Sequence, residues 1–183
     1  MTSPDRSVRL LTSVHVQVEA ARRALLALRL DPVPDVADYL WHTEQVADLF
    51  KLCGEHTALL TQLPQDRDTV QVLAVLGRAA GCLGQAAAHL GFGLEHLAWA
   101  RREPTAQGES ADQVQSRLAT QVHQARTELF VAHSVLYCEI HGRRTDHAAS
   151  APEPVERARA APVQSGMRAK QTTAASSRTG ARR

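Results

Sequence analysis

The chain has 183 residues, of which 44% are hydrophobic and only 4% aromatic, and it carries a formal net charge of +2. Such a length suffices for one domain with a sizeable core, and the dominance of Ala and Leu favours helix over sheet. The near-neutral total excludes a uniformly basic polyanion binder, because the charge is divided: residues 1–141 hold 12 Lys and Arg against 16 Asp and Glu, whereas residues 142–183 hold 9 against 3.

The first helix is expected over residues 4–30, with Ser3 as its cap and Pro4 at its first position. Its apolar seam is Leu11, Val14, Val18, Ala21, Leu25 and Leu28. Val14, Val16 and Val18 alternate as in a strand, but the Ala- and Leu-rich sequence that follows favours helix. Asp31-Pro32-Val33-Pro34 stops this helix, since a residue preceding proline is pushed out of the α region. A second helix over 35–63 is capped by Asp35 and carries Val36, Tyr39, Thr43, Val46, Phe50, Cys53, Thr57 and Leu60.

The third helix, over 67–102, organises the chain. Its seam is Leu73, Leu76, Ala80, Leu83, Ala87, Leu90, Leu94 and Leu97, spaced alternately by three and four residues. Beside it runs a small-residue stripe of Val70, Ala74, Gly77, Gly81, Gly84, Ala88, Gly91 and Ala98. Each helical glycine costs about 0.8–1 kcal/mol relative to alanine. A neighbouring helix approaching the stripe closely would offset that cost. On this reading Gly81→Leu overpacks the contact and destabilises by roughly 1–3 kcal/mol. The fourth helix, over 111–141, opens on the capping-box pattern of Ser110 and Gln113. It carries Val114, Leu118, Val122, Ala125, Leu129, Ala132, Leu136 and Ile140, and Gly142 is its natural stop.

Short connections between long helices imply an all-α, antiparallel up-down-up-down four-helix bundle over residues 1–142. A three-helix body whose first helix docks onto a partner is the alternative. Residues 143–183 lack a seam and large apolar residues, so a disordered basic tail is expected. No apolar leader opens the chain and no run of 18 apolar residues interrupts it, so a cytoplasmic protein without membrane contact is expected. Cys53, Cys82 and Cys138 form no C-x2-C pair, which argues against a disulfide framework. Arg outnumbers Lys nineteen to two, a bias expected of a high-GC bacterial genome rather than of a mechanism.

Cys53 with His56, and Cys138 with His141, each place two ligand types one helical turn apart, and the two pairs fall at similar heights in a bundle. A Cys2His2 zinc site is the sharp reading. Cysteine on an apolar seam is ordinarily a small hydrophobe, so no metal or other cofactor is expected. Cys82, His89 and His96 share one face of the third helix. His15 and Glu19 have the spacing of a surface pair. Arg117 and His123, separated by Leu-Ala-Thr-Gln-Val, resemble the Arg-x4–6-His motif of HEPN-type ribonucleases, which are small helical bundles. The resemblance implies RNA cleavage by these two residues, although Leu118 stands where that family has a polar residue. Arg9 with His15 and Arg126 with His133 match the same loose spacing, and the ordinary reading of all three is solvated helix surface. Excess apolar surface on the third and fourth helices instead points to a non-enzymatic protein that associates with itself or with a helical partner. The basic tail adds weak, salt-sensitive contact with nucleic acid through residues 143–183.

Overall fold

The computed structural model describes residues 4–102 and 110–150. It contains four helices, α1 (Pro4–Ala27), α2 (Val36–Thr61), α3 (Arg67–Arg102) and α4 (Ala111–Ser150), and no strand among the described residues. Residues 151–183, most of the expected tail, lie outside the described residues.

Side chains close the starts of α2, α3 and α4. The Asp35 carboxylate accepts from Val36 N at 2.7 Å to cap α2. Asp66 accepts from Thr69 N at 2.8 Å at the start of α3. At α4 the capping box is reciprocal: Ser110 Oγ accepts from Gln113 N at 3.3 Å, and Ser110 N donates to Gln113 Oε1 at 3.0 Å.

The helix ends depart from expectation at two places, both through an arginine of α4. The first helix ends at Ala27 rather than near residue 30. There the Arg126 guanidinium donates to the Leu28 carbonyl at 3.2 Å and adds a second bond, at 2.9 Å, to the Leu25 carbonyl, which also accepts from Leu28 N at 3.3 Å. The fourth helix does not stop at Gly142 but continues to Ser150. Arg143 pairs with Asp68 of α3 and donates to Glu139 at 2.6 Å, and Thr145 Oγ1 donates to the Gly142 carbonyl at 2.7 Å. These contacts hold the helix through a residue that elsewhere would end it.

The core follows the expected seams in α1 and α4: Leu11, Val14, Val18, Ala21 and Leu25, then Val114 through Ile140, are all buried. In α2, Tyr39, Val46, Cys53 and Leu60 are buried, as is Leu49 beside the seam, whereas Val36, Thr43 and Thr57 are half-buried and Phe50 stays 48% exposed. In α3 the buried line is Val72, Leu76, Ala79, Leu83, Ala86, Leu90, Gly93 and Leu97. The four leucines at seven-residue spacing are as expected. The accompanying line lies one residue earlier, and Leu73, Ala80, Ala87 and Leu94 are only half-buried. By length and composition alone α3 could cross a membrane, and 33% of its most apolar window is buried inside the structure.

The small-residue stripe is where expectation and structure part. Val70, Ala74, Gly77, Gly81 and Ala88 are exposed, and a Cβ on Gly77, Gly81 or Gly91 would meet nothing within 4 Å. Among the described residues no helix fills the stripe at Gly77, Gly81 or Gly91. A Cβ on Gly84 would touch the Phe50 ring at 3.5 Å in ordinary contact. Gly93, which is not on the stripe, is the glycine that packing requires. A Cβ there would overlap the Tyr39 hydroxyl and lie 2.7 Å from its Cζ.

Side-chain contacts link each helix to its neighbours. Between α2 and α3, Asp35 meets Arg101 at 3.0 Å, Tyr39 covers Gly93, and Phe50 leans on Gly84. Between α3 and α4, Asp68 meets Arg143, Gln71 donates to Glu139 at 2.8 Å, Cys82 faces Glu128, and His89 Nδ1 lies 3.1 Å from Gln121. Between α1 and α4, Glu19 meets His133 at 3.4 Å and the Leu25 carbonyl meets Arg126.

Candidate functional site

The densest group of chemically competent side chains lies where α1 meets α4. His15 and Glu19 stand one turn apart on α1, and His133, Tyr137 and His141 recur every four residues on α4, so each set shares one side of its helix. The packing of α1 on α4 brings the sets together. The His15 and His133 ring centroids are 4.6 Å apart, and Tyr137 lies 6.0 Å from both. His141 stacks on Tyr137 at 3.9 Å.

Glu19 is the electrostatic anchor. It accepts from Arg22 Nε at 2.7 Å and from Arg23 Nε at 2.7 Å. The Arg22 hydrogen bond above all holds its carboxyl at about 2, and it is ionised at neutral pH. His133 Nε2 lies 3.4 Å from the Glu19 carboxylate. His133 Nδ1, His15 Nε2 and Thr12 Oγ1 are buried with no hydrogen-bond partner among the described residues. Burial, and then the neighbouring His133, lower the His15 pKa, while Glu19 pulls the other way.

These shifts give stability a definite dependence on pH. A histidine whose folded pKa lies below its unfolded value of 6.5 stabilises the fold above that value, and the contribution is lost as pH falls through the lowered one. His42, lowered chiefly by burial, acts with the same sign. Glu19 contributes above its ordinary 4.5, and that contribution goes as pH falls towards 2. The melting temperature should therefore start to fall just below pH 6.5. His15→Leu should flatten that upper limb and leave the acid limb in place. A thermal scan at half-unit pH steps checks this, and an unaltered upper limb in the variant would rule out His15 as its source.

The four metal candidates are not assembled. Cys53 is fully buried in the core, and burial pushes its thiol up to about 11. His56 lines a groove with Arg6, Ser7 and Leu10 of α1. Cys138 is exposed on α4, and His141 is taken up by the Tyr137 stack. Among the described residues no three His, Cys, Asp or Glu side chains are grouped to hold a metal ion.

Arg117 and His123 are both exposed on α4, and six residues place them about 120° apart around the helix. Arg126 of the second loose match serves as the cap of α1, and its His133 faces Glu19. Cys82 and His89 turn towards α4, where they meet Glu128 and Gln121.

The cluster of α1 and α4 combines residues the sequence presents singly. His15 with Glu19 reads as a surface pair, whereas Glu19 is shared by Arg22, Arg23 and His133. The four-residue recurrence of His133, Tyr137 and His141 was the available signal. The cluster offers imidazoles and an ionised carboxylate, but no serine or cysteine nucleophile is part of it. Models of protein families, curated proteins and solved structures yield no match to this chain.

Proposed function

We propose that this chain is an up-down-up-down, antiparallel four-helix bundle that acts without catalysis, by associating with a second copy of itself through the outer faces of α2 and α3. Support for the topology comes from the register of the contacts. Asp68, Gln71, Cys82 and His89 meet Arg143, Glu139, Glu128 and Gln121, so numbers rise along one helix as they fall along the other. Asp35, Tyr39 and Phe50 of α2 run the same way against Arg101, Gly93 and Gly84 of α3.

The observation that carries the association is the outward side of α3. Val70 is 52% exposed and Phe92 55% exposed, and Ala74, Gly77, Gly81 and Ala88 lie bare between them. On α2, Leu40, Ala47 and Phe50 extend this apolar surface, Phe50 reaching over Gly84. From Val70 to Phe92 the face is about 33 Å long at 1.5 Å per residue. Two helices wide, it offers roughly 650 Å² per copy, so a symmetric pair would bury about 1,300 Å², within the range of stable interfaces. Exposed apolar patches of this extent are rare on lone monomers.

Light scattering at tens of micromolar should give the mass of a dimer or larger, and a clean monomer mass would overturn the reading. Gly81→Leu is the sharper variant. Because a Cβ at Gly81 meets nothing within 4 Å among the described residues, the folded monomer should gain helix stability by about 0.8–1 kcal/mol while the assembly dissociates. An assembly that survives Gly81→Leu would show that the contact lies elsewhere.

A further inference from the structure

The opposite side of the molecule, along α1 and α4, has a different chemistry. Tyr137 is 44% exposed, and its ring lies 3.9 Å from the exposed His141 ring at an interplanar angle of 24°. The His141 Nδ1 hydrogen bond to the Tyr137 carbonyl, 3.1 Å long, holds the pair in that stack. Phe130, also exposed, lies two turns back on the same side of α4. A groove of about 490 Å³, lined by Val8, Thr12 and Val16 of α1, carries Arg9 and Arg144, the latter three residues beyond His141 on α4.

The charge at this surface is positive and uncompensated. Neither Arg9 nor Arg144 makes a hydrogen bond or ion pair among the described residues. Among the described carboxylates of α1, α3 and α4, Glu19 is paired with Arg22 and Arg23, and Glu139 and Asp68 with Arg143. Exposed flat rings beside free guanidinium groups are the two components with which proteins hold single strands. Rings stack on unpaired bases, and cations track the phosphates.

We propose that the α1–α4 surface binds single-stranded nucleic acid, bases stacking on the Tyr137–His141 pair and on Phe130, phosphates lying against Arg9 and Arg144. A duplex cannot present its base faces to these rings. Residues 151–183 carry seven Lys and Arg against two acidic residues and add attraction for any polyanion. The distinction between the two contributions lies in the rings.

The test uses the full chain and fluorescence anisotropy with a labelled 20-nucleotide oligo(dT), the matching oligo(U), and a duplex of equal length. The wild type should bind both single strands more tightly than the duplex. Tyr137→Ala should weaken single-strand binding about tenfold or more, and circular dichroism should show its helices unchanged because the ring is exposed. Arg9→Ala with Arg144→Ala should also weaken it, lowering the slope of log K against log salt by about 1.4, or 0.7 for each phosphate lost. Absence of single-strand binding overturns the proposal. So does a duplex bound as tightly as a single strand, or an affinity unmoved by either variant, each of which would assign binding to the basic tail alone.

Discussion

Gly93→Ala is expected to destabilise the protein by about 2–4 kcal/mol, although the same exchange elsewhere in α3 should stabilise it. Alanine ordinarily gains about 0.8–1 kcal/mol over glycine inside a helix. At Gly93 the added methyl would overlap the Tyr39 hydroxyl and stand 2.7 Å from Cζ. Tyr39 is fully buried, so the ring has no solvent-side position to move into without leaving the core. Displacing a side chain of that size forfeits about 1.5–3 kcal/mol of burial, and forcing α3 away instead incurs an overpacking cost of 1–3 kcal/mol. Either exceeds the gain in helix propensity. Gly81→Ala provides the internal control, since a Cβ there meets nothing within 4 Å. Urea unfolding at low micromolar concentration, where association contributes least, should show opposite signs for the two variants.

Tyr39 supplies a second reading of the same contact. Its hydroxyl is buried with no hydrogen-bond partner among the described residues, and burial alone pushes its pKa up to about 12. Removing an unpaired buried polar group carries little cost, so Tyr39→Phe should leave stability unchanged or slightly higher. It should also soften Gly93→Ala by about 1 kcal/mol or more, since the nearest clashing atom is gone. Equal costs for Gly93→Ala in both backgrounds would refute the contact.

This contact also marks the limit of what the sequence discloses. Helix positions, caps and most core residues follow from patterns within a few residues: Asp35 before Val36, Ser110 with Gln113, Leu76 through Leu97 every seven. The burial of Gly93 follows from which residue of α2 faces it, and no local pattern contains that. A stripe of Gly and Ala marks where a helix could approach but not whether one does. Here the stripe is open at Gly77 and Gly81 and met only by Phe50 at Gly84, and the close approach falls one residue off the expected seam, at Gly93. The α1–α4 cluster was hidden for the same reason, since its members are 118 residues apart at His15 and His133. The metal candidates fail through orientation: Cys53 points into the core, whereas Cys138 points away from it. Two residues one turn apart define a possible ligand pair only when both turn towards a common point.

Arg126→Ala is expected to cost about 1.5–3 kcal/mol, with the loss concentrated at the end of α1. The guanidinium donates to the carbonyls of Leu25, Leu26 and Leu28 at 2.9–3.4 Å. No basic side chain of α1 itself stands in its last turn, so α4 supplies the charge that favours a helix C-terminus. Hydrogen bonds from a charged donor contribute about 1.5–3 kcal/mol, and their removal also takes the donor from the part-buried Leu28 carbonyl. The planar fork spans three acceptors that a single ammonium cannot reach together, so Arg126→Lys should recover less than half of the loss. Native-state hydrogen exchange separates this effect from a general loss of stability. Amides in the last turn and a half of α1 should exchange much faster in Arg126→Ala, while those around Leu83 in α3 should change only by the global loss. Uniform acceleration through α1 and α3 would mean that Arg126 stabilises the bundle as a whole and that the end of α1 is fixed by Pro32 and Pro34 alone.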